Sequence, residues 1–110
     1  MIQVIIERDR DDRILAFQMD GHADYDEHGK DLVCAGASAV SFGAVNAIFA
    51  LTSIEPIIDQ GSNGGFLRID LPESIEPADY ERVQLLLQGM VVSLQTIERE
   101  YGQHIKITFK

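Results

Sequence analysis

Ile2, Val4 and Ile6 alternate with Gln3, Ile5 and Glu7. A period of two predicts a strand with one buried face, and Ile5 adds an apolar position on the other. Residues 8–12 form a charged turn, and residues 14–20 are a second β-rich run, so the chain should open with a hairpin. Gly21 ends this hairpin where the backbone must bend or take positive φ. A polar loop follows over residues 23–30, with a second glycine at Gly29.

The pattern then changes period. From Leu32 to about Ser53 the chain is apolar nearly all round, which predicts a central buried helix. Asp31 is placed to cap it, its carboxylate accepting the backbone N–H of Val33 or Cys34. Small residues fill its first half: Ala35, Gly36, Ala37, Ser38 and Ala39. They allow another element to approach closely. Pro56 marks the exit. Residues 57–60 are a weak strand, GSNGG at 61–65 is the strongest turn signal, and residues 66–71 alternate again with Leu67, Ile69 and Leu71 on one face. A second hairpin is expected there, closed by Pro72. Pro77 or Ala78 starts a second helix, in which Val83, Leu86, Leu87, Met90, Leu94, Ile97 and Tyr101 recur every three or four residues. Gly102 stands where a C′ glycine would end it. Residues 104–109 form a last strand. The order ββαββαβ predicts an α+β fold, one sheet with two packed helices, in a single domain over residues 1–110.

Composition narrows the function classes. The formal charge of −9 argues against a nucleic-acid surface, which needs Lys and Arg, and suits a basic partner. The single cysteine cannot form an internal disulfide, so a reducing cytoplasm is the natural compartment. MIQVIIERDR lacks the features of a signal peptide. The apolar stretch from residue 32 to 54 is long enough to suggest a membrane span. Ser38, Ser41, Asn46, Thr52 and Ser53 interrupt it and no basic cluster flanks it, so membrane insertion is not expected.

Residues 21–41, GHADYDEHGKDLVCAGASAVS, carry the chemistry. A thiolate is the nucleophilic form of cysteine. A helix N-terminus favours negative charge through its unpaired N–H groups and dipole, and Cys34 falls in the first turn. His22, on the preceding loop, can pair with the thiolate and later give a proton to a leaving amine. The backbone N–H groups of Cys34 and Ala35 are candidate oxyanion donors. Asp31 is open to two roles, N-cap and orienter of His22. Ser38 lies one turn after Cys34, with a back-bond to the Cys34 carbonyl as its structural role. Gly21 and Gly29 bracket the loop as candidate hinges. Two rival readings remain at this level. Cys34 can be a structural residue of a non-catalytic binding protein. Alternatively, His22, Asp24, Asp26 and His28 can hold a divalent metal with Cys34 nearby.

Gly21-His22-Ala23, Gly29, Asp31-Leu32-Val33-Cys34-Ala35 and Ser38-Ala39 together resemble the signature of the Prp family of ribosomal-processing cysteine proteases. The resemblance spans essentially the whole chain and includes the segment VSLQTIE at 92–98. It implies a small cytosolic homodimeric endopeptidase that needs neither metal nor other cofactor. Its substrate would be large-subunit ribosomal protein twenty-seven, whose N-terminal extension is cut after a pair of phenylalanines. Cys34 matches the family nucleophile and His22 its proton donor, and the loop between them is expected to move until substrate binds. Under this reading the non-catalytic alternative is a ribosome-assembly binding protein. His28 and His104 fall outside the assigned chemistry, and their loss is expected to matter little.

Overall fold

The computed structural model describes residues 1–27, 30–62 and 64–110. Its elements follow the predicted order: β1 (Ile2–Arg8), β2 (Ile14–Asp20), α1 (Leu32–Leu51), β3 (Ile57–Asp59), β4 (Phe66–Asp70), α2 (Pro77–Tyr101) and β5 (Ile105–Phe109). The five strands form one sheet in the order β3-β4-β2-β1-β5. Every neighbouring pair is antiparallel except β1 and β5, which are parallel. That exception follows from connectivity. A parallel neighbour needs a long crossover, and α2 supplies it between β4 and β5.

Register explains how the alternating residues find one core. Val4 stands opposite Met19 and Ile107, and Met19 stands opposite Leu67. Ile6 pairs with Phe17, which pairs with Ile69. Each row puts its side chains on the same face, and all of these residues are buried. The intervening positions, among them Gln3, Gln18 and Arg68, line the opposite face, where Arg68 bridges Glu7 at 2.7 Å and Asp70 at 2.9 Å. Both helices contribute to the single core on the apolar face. Gln84 joins α2 to the sheet. Its buried amide accepts from Ile14 N–H at 2.9 Å and donates to Ile14 C=O at 2.8 Å.

Three details differ from the sequence expectations. α1 ends at Leu51, two residues early, because Thr52 turns extended and its hydroxyl takes the Ile48 carbonyl at 2.7 Å. Gly102 is the C-cap in right-handed geometry, φ −60°, and not a left-handed C′ residue. The turn there is closed by His104 N–H on Tyr101 C=O, which needs no positive φ. Finally, α1 is not a central helix. Only Val33, Ala37, Ser41, Val45 and Ile48 are buried, a stripe at near-four-residue spacing. Two helices share one sheet face, so each presents a single side to the core. The outer side of α1 leaves Phe42, Phe49 and Leu51 exposed. By length and composition alone α1 is apolar enough to cross a membrane; in this fold its buried stripe is part of the core.

Candidate active site

The site is built where the loop after β2 meets the start of α1. Asp31 governs this junction. One carboxylate oxygen, Oδ1, accepts the N–H of Val33 and of Cys34, each at 3.0 Å, which caps the helix. The other, Oδ2, accepts Tyr25 N–H at 2.8 Å and Asp26 N–H at 3.3 Å, which ties down the loop. Asp31 is buried. Burial pushes its carboxyl pKa up. The N–H bonds from Cys34, Tyr25, Asp26 and Val33 outweigh that effect and hold it below the ordinary carboxylate value. One ionised side chain therefore serves both the helix that carries Cys34 and the loop that follows His22.

Cys34 is half-buried in the first turn of α1. Its Sγ accepts the backbone N–H of Ala23 at 3.1 Å. Ala23 is held at its other backbone group as well: its carbonyl accepts from His104 Nδ1 at 3.0 Å. The Tyr25 ring meets His104 and Tyr101 edge-on, with centroids 5.2 and 5.4 Å apart.

His22 lies on the same loop one residue before Ala23, and it lines the same cleft as Cys34. This cleft has a volume of about 610 Å³. Ile2, Met19, Phe42, Phe66 and Leu67 make its apolar wall, while His22, Asp24, Asp31 and Ser38 contribute polar groups. The β3–β4 turn forms one side. Gly65 has a left-handed backbone, φ +67°, and a Cβ built there would lie 2.8 Å from His22 Nε2. The Gly65 carbonyl also accepts Gly21 N–H at 2.7 Å. The imidazole thus rests on a glycine that leaves it room.

The other sequence expectations divide as follows. Neither backbone donor expected for the oxyanion is unoccupied: Cys34 N–H is spent on Asp31 Oδ1, and Ala35 N–H on the Asp31 carbonyl at 3.0 Å. The cap that starts the helix consumes them. The Ser38 back-bond to the Cys34 carbonyl is not formed among the described residues; instead Ser38 lines the cleft. Gly21 has φ +94°, and a Cβ there would meet the Met1 carbonyl at 2.5 Å, so glycine is required by close approach. Gly29, its expected hinge counterpart, lies outside the described residues, as does His28 of the rival metal set. Among the described residues no three His, Cys, Asp or Glu side chains group as metal ligands would. Sequence reasoning missed the Ala23 N–H, Gly65, Tyr25 and His104. The GSNGG turn was the one available signal for Gly65, and it spoke of turn geometry only.

Comparison with known proteins adds an independent line. Residues 1–106 match the family described as Cysteine protease Prp. The chain is 51% identical over 108 residues to the ribosomal processing cysteine protease Prp of Bacillus subtilis, covering 98% of this chain and 96% of that one. It is 48% identical to the protein of the same name from Staphylococcus aureus, over the full length of both. Among solved structures, the S. aureus protease Prp with a covalently linked product peptide superimposes with a TM-score of 0.91 at 47% identity, covering all of both chains. The same protease with a substrate peptide gives 0.85 at 45% identity, again over all of both chains.

Proposed function

The chain belongs to the Prp family of cysteine proteases, and from that premise we propose that Cys34 is its nucleophile and His22 its acid–base partner. The observation that carries this reading is the convergence of both residues on one cleft, with a backbone N–H already directed at the sulfur. In the first step the Cys34 thiol gives its proton to His22, and Sγ attacks the carbonyl carbon of the scissile peptide. A C–S bond forms and the carbonyl electron pair moves to oxygen. The tetrahedral species collapses as the C–N bond breaks, and His22 gives its proton to the departing amine. Water then attacks the thioester, His22 takes its proton, and the C–S bond breaks to release the carboxylate. No metal and no other cofactor enters these steps. Ala23 N–H donates to the sulfur before attack, and Ser38 lines the cleft where substrate polar groups would lie.

The substrate we assign is the N-terminal extension of large-subunit ribosomal protein twenty-seven, cut after a Phe-Phe pair. Ribosomal processing is the named activity of the B. subtilis and S. aureus relatives. An aromatic side chain suits the wall formed by Met19, Phe42 and Phe66, and the cleft volume of about 610 Å³ falls in the ordinary range for a ligand site. The net charge of −9 suits a basic substrate and disfavours nucleic acid. A cytoplasmic homodimer completes the assignment; the exposed apolar side of α1, with Phe49 and Leu51, is a surface a second copy can cover.

The test is incubation with the full-length ribosomal protein, read by mass spectrometry. Wild type is expected to remove the extension after the second phenylalanine, and Cys34→Ala to leave the substrate whole. Processing by the alanine variant would remove Cys34 from the mechanism, and a cut elsewhere would remove the Phe-Phe assignment.

A further inference from the structure

His104 lies 70 residues beyond Cys34 in sequence, on the turn between α2 and β5, and has no part in the chemistry assigned above. The fold nevertheless ties it to the nucleophile through one residue, Ala23, whose N–H and carbonyl lie in successive peptide units. Ala23 is 1% exposed, so its backbone groups are cut off from water and need partners. Its N–H donates to Cys34 Sγ at 3.1 Å, and its carbonyl faces His104 Nδ1 at 3.0 Å. A carbonyl oxygen can only accept, so Nδ1 carries the proton in this contact. The ring is held by the edge-on contact with Tyr25, whose own N–H is bound by Asp31.

We propose that His104 is a positioning residue of the peptidase: by holding the Ala23 carbonyl it fixes the backbone of Ala23, so that the N–H of that residue points at the Cys34 sulfur. The inference rests on the reading of Cys34 as nucleophile. The physical reason is local. Residues 21–27 lie outside the regular elements, so the direction of the Ala23 N–H depends on what fixes the backbone on either side of the Ala23 Cα, and the next peptide is held by its carbonyl. His104 holds it from the short turn that joins α2 to β5, a strand paired within the sheet. A second consequence follows. The Ala23 N–H belongs to the His22–Ala23 peptide, so a turn of that peptide also displaces the residue that moves protons.

The test compares wild type with His104→Ala, His104→Asn and His104→Gln, using a short peptide spanning the cleavage site and the rate of Cys34 alkylation by iodoacetamide. An asparagine amide nitrogen falls near the place of Nδ1, whereas a glutamine amide reaches toward that of Nε2. His104→Ala should lose about 10–100-fold in kcat, the scale expected from a small misplacement of reacting groups, with KM little changed. Its alkylation should slow in parallel. His104→Asn should recover most of both, and His104→Gln should not. Full activity in His104→Ala, equal recovery by Asn and Gln, or a loss confined to KM would each overturn the proposal. Cys34→Ala runs alongside. If that variant cleaves the peptide, the nucleophile reading fails; if it is inert while His104→Ala is fully active, only the positioning role fails.

Discussion

The imidazole of His22 lies so close to Gly65 that a β-carbon on the glycine would stand 2.8 Å from Nε2. Two loops far apart in sequence therefore share one small space, and the side chain at position 65 decides where the imidazole rests. The neighbouring Gly64 has a similar backbone angle, φ +72°, but a β-carbon there meets nothing within 4 Å. The pair makes a controlled experiment. Each alanine substitution forces a left-handed L-residue and should cost roughly 1–2 kcal/mol in stability. Only Gly65→Ala should also displace His22, with a fall in kcat/KM of about 10²-fold. Thermal melts should look alike and peptide cleavage should not. Equal activity in the two variants would show that Gly65 serves the turn alone.

His22 itself should matter on the scale of an acid–base group, roughly 10²–10⁴-fold in rate. His22→Ala is expected to fold normally, since the residue is exposed, and to lose most peptide cleavage. A variant within a few-fold of wild type would mean that another group moves the protons.

Asp31 gives a prediction the loop geometry alters. Asparagine is ordinarily as good a cap as aspartate. Here, however, the second oxygen accepts two further N–H groups, from Tyr25 and Asp26. An amide NH2 in its place would face two donors. Asp31→Asn should therefore keep the helix cap yet loosen the loop, with lower cleavage activity and a lower melting temperature. Both readouts unchanged would reduce Asp31 to a cap.

The same residue predicts a pH dependence with a definite sign. Its folded pKa lies below the ordinary value, because the four N–H bonds outweigh the effect of burial. Between the folded and unfolded pKa values the unfolded chain binds more protons, so stability rises with pH. The contribution is complete above the unfolded aspartate pKa, about 3.9, and is lost as pH falls through the lower folded value. Urea unfolding of wild type and Asp31→Asn between pH 3 and 7 should show the wild-type advantage above pH 4 shrinking on acidification. An advantage constant across that range would show that the charge is not what stabilises the junction.

Charge should also govern encounter with substrate. The chain carries −9, and a protein that meets RNA phosphates is strongly basic. Salt screens attraction between such partners, with a Debye length of about 10 Å at 0.1 M. For the full-length ribosomal protein, kcat/KM should fall several-fold on raising salt to about 0.5 M. For a short uncharged peptide it should stay nearly flat. Equal slopes would assign the acidic surface to solubility.

What the sequence determined by itself was whatever depends on neighbours along the chain. The period of two in residues 2–6 and 14–20, the turn at 61–65 and the three-to-four spacing of Val83, Leu87, Met90 and Leu94 specified the elements and their order. The cap by Asp31 was equally legible, because a cap acts two and three residues ahead. Cys34 and His22 stood out through their motif. The tertiary structure decided everything that depends on distant segments meeting. The outer side of α1 is exposed because two helices share one sheet face, which no property of residues 32–51 foretells. The expected oxyanion donors are occupied because the cap uses them first. Gly65 proved to be a resting place for His22, and His104 a support for Ala23, across gaps of 43 and 81 residues. Hydrophobic periodicity encodes which face a residue occupies; it carries no address for the partner that the fold brings against it.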